Sequence, residues 1–523
     1  MADMVVTLMD PIIQVDGWTP DLNVIGEYTL RIRKTPDEIK AEKKRKQNEG
    51  KKGKVDPVKK ERKTVLSFDK EHYGRVYFMP GLWPRVSAFL KARGIEYEVV
   101  DKRDQSIRPK LDMSAFEGVT FRETQDVAVA LIESLDCGII ETTTGYGKSQ
   151  LISWLCKAYP TLNIVVTTSS TSVVQTLYEY LCKTIPGEVG VLYNGKNTVA
   201  GKRVIVTTLR SLPNIPPDKV QLVFVDECHA IGDNVAGQDL MKFCWARRFG
   251  FSASPIRNDG SQLVMESLLG PTILKMTYQE AAEAGMVTPM KYMMLQCNGC
   301  PSVAKQRDLP EVMLKRYSYW DNLSRNGAIR RFVYDLKKGG YEGQILIMVN
   351  SLEHAIQLHM MLPWFVVAYY GNADMEHLEK RFPASKYPTL DLSKYKMTSK
   401  QLEITRKALA KGTLRYVIST KVLKQGVNLS HLECLIRADG DVSEIEGIQV
   451  PGRLSRLDEG KEYAYLVDVE DTFSTWAKNR SESRMQTYND NQWERVSYEE
   501  CIHDLCEQSR RRNQGPAGRP DTE

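Results

Sequence analysis

Three short stretches of this 523-residue chain hold residue types suited to phosphate chemistry. Glu141 to Gln150 reads ETTTGYGKSQ and closes on Gly147-Lys148-Ser149. Backbone N–H groups of a glycine-rich turn, followed by the positive end of a helix, cradle anionic oxygens. Lys148 then neutralises phosphate oxygens, and the Ser149 hydroxyl helps to hold Mg²⁺. A strict G-x-x-x-x-G-K-[ST] pattern would put glycine where Thr142 stands. Further on, LVFVDECHA ends an apolar run in adjacent carboxylates, Asp226 and Glu227. In phosphoryl transfer one such group holds the metal's water shell and the other polarises the attacking water. Finally, Arg453 and Arg456 lie one helical turn apart, so both guanidinium groups can reach one developing negative charge.

These residues need rigid elements to hold them. From about 111 to 288, short apolar runs alternate with helical periods: CGII (137–140), NIVVTT (163–168), RVIVTT (203–208), QLVFVD (221–226) and RFGFSA (248–253). Buried strands separated by amphipathic helices predict a parallel sheet covered on both faces. The rhythm restarts between 289 and 480 with QILIMVN, WFVVAYY, LRYVIST, ECLIRA and YAYLVDV. Residues 1–110 predict a small α/β accessory unit: a strand at Glu27–Ile32, a strand at Gly74–Phe78, a helix from Leu82 to Ala92 and a strand at Tyr97–Val100. A lysine-dominated insertion at about 35–63 reads as solvated and mobile, with the capacity to gain affinity for nucleic-acid phosphates. Residues 481–523 form a polar extension, and QSRRRNQGPAGRPDTE reads as a disordered tail.

Asp226-Glu227-Cys228-His229 resembles the DExH box of superfamily 2 helicases, and the resemblance runs along most of the chain. Arg122 and Gln125 resemble the R-x-x-Q element that reads adenine. Residues 167–181 and 204–212 resemble the strand-tracking segments Ia and Ib, and Phe251-Ser252-Ala253-Ser254-Pro255 resembles motif III. Residues 345–355, 419–436 and 449–456 resemble motifs IV, V and VI. The fold implied is two tandem RecA-like parallel-sheet domains with a small N-terminal α/β accessory domain. The resemblance implies an ATP- and Mg²⁺-dependent motor on nucleic acid. Its catalytic groups would be Lys148, Asp226, Glu227, Arg453 and Arg456, with Arg456 as the arginine finger. Nucleotide contacts would come from Arg122, Gln125, Thr144, Gly145, Tyr146, Gly147, Lys148, Ser149 and Gly426, and metal contacts from Ser149 and Asp226 through water. Thr168, Gln175, Thr208, Asn350 and Thr420 would touch nucleic acid. The segment from Gly74 to Arg103, with LDMSAFEGVTFRETQ after it, looks like the accessory region of phage recombination helicases of the UvsW type, which remodel branched DNA. An RNA helicase, a translocase subunit of a restriction or defence system, and a DNA-binding scaffold with a decayed ATPase are the alternatives.

Composition sets outer limits. Net charge is +6, a mild basic bias, and hydrophobic residues make up 42%, the balance of a globular chain. No run reaches the roughly 18 apolar residues of a membrane span. The N-terminus lacks a basic lead and an adequate apolar core, so a cytoplasmic protein is expected. The ten cysteines are scattered, which favours packed thiols over disulfides. Cys297-x-x-Cys300 is one pair without a second half, and Cys501, His503 and Cys506 lack a fourth metal ligand. The expected partners are DNA and recombination or single-strand-binding proteins, for a chain acting as a monomer.

Overall fold

The structure is a computed structural model. It describes residues 4–35, 38–39, 41–42, 45, 56, 58–255, 257, 259–300, 309–369, 374–420, 429–442 and 451–514. The chain forms two compact units, one of residues 1–142 with 147–275 and one of residues 143–146 with 276–523.

The first unit begins with strands β1 (Met4–Leu8), β2 (Ile13–Asp16), β3 (Glu27–Arg33), β4 (Val58–Thr64), β5 (Ser67–Phe68) and β6 (Arg75–Phe78), helix α1 (Trp83–Ala92) and β7 (Tyr97–Asp101). Five of these make a mixed sheet in the order β5-β6-β2-β1-β7, and β3 pairs with β4 as a separate antiparallel ribbon. The lysine-rich segment is thus a strand at its C-terminal end, where the sequence reading expected a mobile loop; on one face Leu30 is buried, the Tyr28 hydroxyl bonds Asp233 and Lys63 of β4 pairs with the same carboxylate, which fixes the ribbon. Residues 46–55 of that segment lie outside the described residues.

There follow α2 (Gln125–Ser134), β8 (Cys137–Thr142), α3 (Lys148–Ala158), β9 (Ile164–Thr168), α4 (Thr171–Thr184), β10 (Val189–Tyr193), β11 (Lys196–Asn197), β12 (Val204–Thr208), β13 (Leu222–Asp226), α5 (Val235–Met241), β14 (Arg247–Ser252), α6 (Gln262–Leu269) and β15 (Thr272–Met276). Their sheet runs β11-β10-β12-β9-β13-β14-β8-β15, and the stretch from β10 to β8 is parallel throughout. Every residue of β9, β13 and β14 is buried, as a sheet covered on both faces requires.

The accessory sheet has a fixed seat on this domain. Arg85 forks onto Glu266 at 2.8 and 2.6 Å, and Arg108 bridges Asp10 and Asp136 at 2.9 and 2.7 Å. Gly81 lies against the backbone of Glu266, Ser267 and Gly270 so closely that a Cβ there would overlap it.

The second unit holds β16 (Met290–Cys297), α7 (Leu323–Lys338), β17 (Gln344–Met348), β18 (Val366–Ala368), β19 (Tyr416–Ser419), β20 (Leu432–Arg437), β21 (Ala464–Asp471), α8 (Thr475–Asp490), β22 (Glu494–Arg495) and α9 (Tyr498–Gln514). Among the described residues its seven strands are all parallel, in the order β18-β19-β17-β20-β21-β16-β22. The fold class is therefore α/β with two tandem parallel sheets and a small N-terminal α/β sheet.

The polar C-terminal extension is helical rather than disordered through Gln514. Helix α9 buries Cys501, Leu505 and Cys506 in the second unit's core. Its polar residues serve backbone groups: Gln508 Oε1 accepts from the N–H of Glu462 and Tyr463, and Ser509 Oγ from that of Glu342. A polar sequence can fold where it satisfies such groups. Residues 515–523 lie outside the described residues. The Cys297 and Cys300 thiols are buried and donate to the carbonyls of Gly299 and Tyr317, each at 3.4 Å. Among the described residues no cluster of three or more His, Cys, Asp or Glu could hold a metal, and no helix is long and apolar enough to cross a membrane.

Because the contact at Gly81 is backbone against backbone, Gly81→Ala is expected to destabilise the protein by about 1–3 kcal/mol. Thermal denaturation of the purified variant would show this as a lower Tm; an unchanged Tm would mean that the module is not seated there.

Candidate nucleotide site

Parallel pairing decides where the chemistry sits. Strands β12, β9, β13, β14 and β8 are successive parallel neighbours, so Thr208, Thr168, Asp226, Ser252 and Thr142 close them along one carboxyl edge. Ligands of open α/β sheets bind outside that edge.

Strand β8 delivers the phosphate-loop candidate. Thr142 is its last residue, fully buried, and its carbonyl accepts from Lys148 Nζ at 2.8 Å. The residue that broke the glycine pattern therefore lies in the strand and anchors the lysine. Gly145 and Gly147 have φ of +102° and +92°, values that favour glycine. Gly147 precedes the first turn of α3, which leaves N–H groups of Lys148 and the half-buried Ser149 facing the loop. A Cβ on Gly147 would also lie 3.0 Å from Gln125 Nε2, so glycine leaves room for the adenine-reading candidate. Gln125 is buried and its Oε1 accepts from the Arg122 N–H at 2.9 Å. Thr124 before it holds φ at +65°, uncommon for a β-branched residue. Thr144, Gly145 and Tyr146 belong to the second unit, where Tyr146 is fully buried.

Strand β13 delivers the carboxylates. Asp226 is buried, and its Oδ1 has no hydrogen-bond partner. Burial, then the charge of Glu227, pushes its carboxyl up to about 7, partly offset by the Lys148 charge. A buried carboxylate with an oxygen left without a donor is costly and suits a cation. With the Ser149 hydroxyl, this hard oxygen set fits Mg²⁺ with its waters. Glu227 stands at φ +55°, a left-handed conformation that places local strain beside the carboxylate pair.

The sequence reading named His229 and Ser252 only as members of the DExH box and motif III, and gave Arg257 no role. His229 Nδ1 lies 3.1 Å from Ser252 Oγ and 3.4 Å from Glu227 Oε2. Ser252 Oγ also accepts the Ser254 N–H at 3.2 Å, and Arg257 donates to the His229 carbonyl at 2.6 Å. A hydrogen-bonded chain therefore joins the end of β13 to the segment after β14. The available signal was their place: the DExH histidine follows β13, and the first motif III serine ends the neighbouring strand β14.

The strand-tracking candidates are dispersed in environment. Thr168 Oγ1 is buried without a partner, whereas Thr208 Oγ1 bonds Ser211 Oγ at 3.1 Å. Gln175 is exposed on α4, tied to Glu179 and to the Tyr193 hydroxyl. In the second unit Asn350 Nδ2 donates to the Asp439 carbonyl at 2.8 Å, with its Oδ1 buried and unpartnered, and the Thr420 N–H donates to Ala368. Gly426 and Gln449 lie outside the described residues, as does the Arg453 side chain. Arg453 falls in a short helix, Pro451–Leu454, with Arg456 just beyond it. Lys461, which carried no sequence signal, holds this segment: its buried ammonium donates to the carbonyls of Leu454, Arg456 and Ser430.

Comparisons with known proteins agree with this architecture. The family model described as "Type III restriction enzyme, res subunit" matches residues 118–257. "Putative helicase 22" of Sulfolobus islandicus filamentous virus (isolate Iceland/Hveragerdi) is 22% identical over 439 residues, 74% of this chain and 71% of that protein. "Probable helicase D10" of Escherichia phage T5 is 22% identical over 415 residues, 78% of this chain and 83% of the relative. Among solved structures, S. cerevisiae Dbp5 bound to RNA and ADP BeF3 superposes with a TM-score of 0.52 at 13% identity, covering 76% of this chain and 96% of that one. At that identity the likeness is one of fold.

The raised Asp226 pKa has a stability consequence. The folded state keeps this proton up to about pH 7, so stability falls as pH rises from about 4 to about 7. With divalent metal chelated, Asp226→Asn is therefore expected to stabilise the protein at pH 8 by on the order of 4 kcal/mol, seen as a higher Tm, with the gain vanishing near pH 4. Thermal melts across this range in EDTA test it; a variant less stable than wild type at pH 8 would contradict the assignment.

Proposed function

Taking the chain as a nucleic-acid-dependent ATPase of superfamily 2 helicase type, we propose that its track is DNA and that it remodels branched DNA by fork regression, branch migration or unwinding. The observation that carries this reading is the fixed seat of the N-terminal sheet on the domain that holds Lys148, Asp226 and Glu227. A duplex or junction held by that sheet moves with the nucleotide site. The resemblance of the same N-terminal segment to UvsW-type accessory regions supports the choice of branched DNA, and both viral relatives suit it.

The chain's own residues have separable tasks in this proposal. The loop N–H groups and Lys148 bind the β- and γ-phosphates, and Gln125 with Arg122 holds the adenine. Bound Mg²⁺, held through Ser149 and Asp226, supplies charge neutralisation at the phosphates. Glu227 accepts a hydrogen bond from the attacking water and orients it toward the γ-phosphorus. The bond from that phosphorus to the β–γ bridging oxygen breaks, ADP leaves, and the water's proton ends on phosphate or solvent. His229 and Ser252 pass the change at Glu227 to the segment after β14. Arg456 is proposed as the finger that stabilises the transition-state charge, with Arg453 beside it. Thr168, Gln175, Thr208, Asn350 and Thr420 are proposed to grip the strand backbone, contacts that carry little sequence information and so suit a motor.

Steady-state ATPase assays with single strands, duplex, forks, four-way junctions and RNA test the reading. Forked and four-way DNA are expected to stimulate most, and Lys148→Ala to abolish turnover, a loss of at least about 100-fold. Stimulation by RNA alone would favour an RNA helicase. Equal stimulation by any linear duplex would favour a restriction-type translocase, the class named by the family model. Persisting turnover in Lys148→Ala would remove the loop from the site.

A further inference from the structure

The β3–β4 ribbon has two unlike faces. Residues facing one another across it are Tyr28 and Lys63, Thr29 and Arg62, Leu30 and Glu61, Arg31 and Lys60, and Ile32 and Lys59. One face is fully employed. Leu30 is buried, the Tyr28 hydroxyl donates to Asp233 at 3.0 Å and Lys63 pairs with the same carboxylate at 2.7 Å. Lys59 pairs with Glu38 and Glu61, each at 3.3 Å; along the β3 edge, the backbone N–H of Arg31 donates to the Asp259 carbonyl at 2.8 Å. This face seats the ribbon on the domain that carries the candidate nucleotide site.

The other face carries Glu27, Thr29, Arg31, Lys60, Arg62 and Thr64, all exposed. Arg31, Lys60 and Arg62 have no ion-pair partner among the described residues, and Arg31 stands directly opposite Lys60. Like charges directly opposed across a ladder weaken it. The lone acid of this face, Glu27, sits at its far end. A folded ribbon that pairs every cation of one face and leaves three together on the other is complementary to a polyanion.

We infer that the outward face of the β3–β4 ribbon, through Arg31, Lys60 and Arg62, binds the phosphate backbone of duplex DNA. Same-face residues of one strand repeat at roughly 6.8 Å and opposed residues lie about 5 Å apart, which gives a small grid of cations rather than a point charge. Guanidinium groups suit phosphate oxygens, taking them in bidentate fashion. A two-stranded ribbon also matches the width of the major groove, about 12 Å. The face has no aromatic residue on which an unpaired base could stack, the feature that single-strand binders rely on. The inference rests on the proposal that the track is DNA, and it places a duplex contact on a rigid extension of the ATP-binding domain.

The test uses the full-length protein and fluorescence anisotropy on a short mixed-sequence duplex over a series of salt concentrations. The variant Arg31→Thr/Lys60→Thr/Arg62→Thr keeps strand-forming residues at all three positions. It is expected to bind the duplex more weakly and to lower the slope of log K against log salt by about 2 to 3, at about 0.9 per phosphate contact. The comparison variant Lys59→Ala, on the seated face, is expected to keep the wild-type slope. Tm of the triple variant is expected to equal or exceed that of wild type, because opposed like charges are removed. The single variants Lys60→Thr and Arg62→Thr, each expected to lower the slope by about 1, give the same reading if the triple variant misfolds. A wild-type slope in the triple variant, or a loss on single strands alone, overturns the inference. Failure of wild type to bind or be stimulated by any DNA would instead overturn the proposed function.

Discussion

A buried carboxylate with one oxygen that meets no hydrogen-bond donor is the constraint from which the first unit can be understood. Asp226 ends a strand buried along its whole length, beside Glu227, and its Oδ1 meets no donor. Such a group is tolerated where a cation arrives, and what surrounds it points the same way. Lys148, buried and tied to the Thr142 carbonyl, brings positive charge within electrostatic reach of Asp226. The parallel order of β9, β13, β14 and β8 sets these groups on one edge, and the helices on both faces keep the strands dry. Local strain is stored nearby: Glu227 and Thr124 both sit at positive φ, beside Asp226 and Gln125.

Much of this was legible in the sequence because the signals were local. The runs CGII, NIVVTT, RVIVTT, QLVFVD and RFGFSA each lie on a strand of the first parallel sheet, and a fully buried strand is recognisable as an uninterrupted apolar run. Strand β16 was not singled out: MKYMMLQC is rich in methionine, carries a lysine and a glutamine, and lacks β-branched residues. The last turns of helix α9, residues 508–514, were misread as tail because their polar side chains are used to satisfy backbone groups, a tertiary fact with no compositional trace. The end of the lysine-rich segment was misread for a related reason. Its charges are sorted onto two faces only once β3 supplies the register.

Within the site, residue types at fixed spacing marked Gly147, Lys148, Asp226 and Glu227, since the chemistry depends on them directly. Thr142 departs from the strict glycine pattern, and its place at the end of β8, with its carbonyl on Lys148, gives it a task. The link from His229 to Ser252 and Ser254, and the hold of Lys461 on the segment carrying Arg456, arise from strand adjacency and burial. No single-residue pattern encodes either.

The central claim is the proposal that the open Oδ1 of Asp226 takes part in holding a metal–nucleotide complex. Single-turnover hydrolysis of ATP by the wild-type protein, with Mg²⁺ present and with divalent metal chelated, tests this most directly. Hydrolysis that requires the metal is the result expected; hydrolysis at the same rate in chelator, or none in either condition even with DNA added, would contradict it.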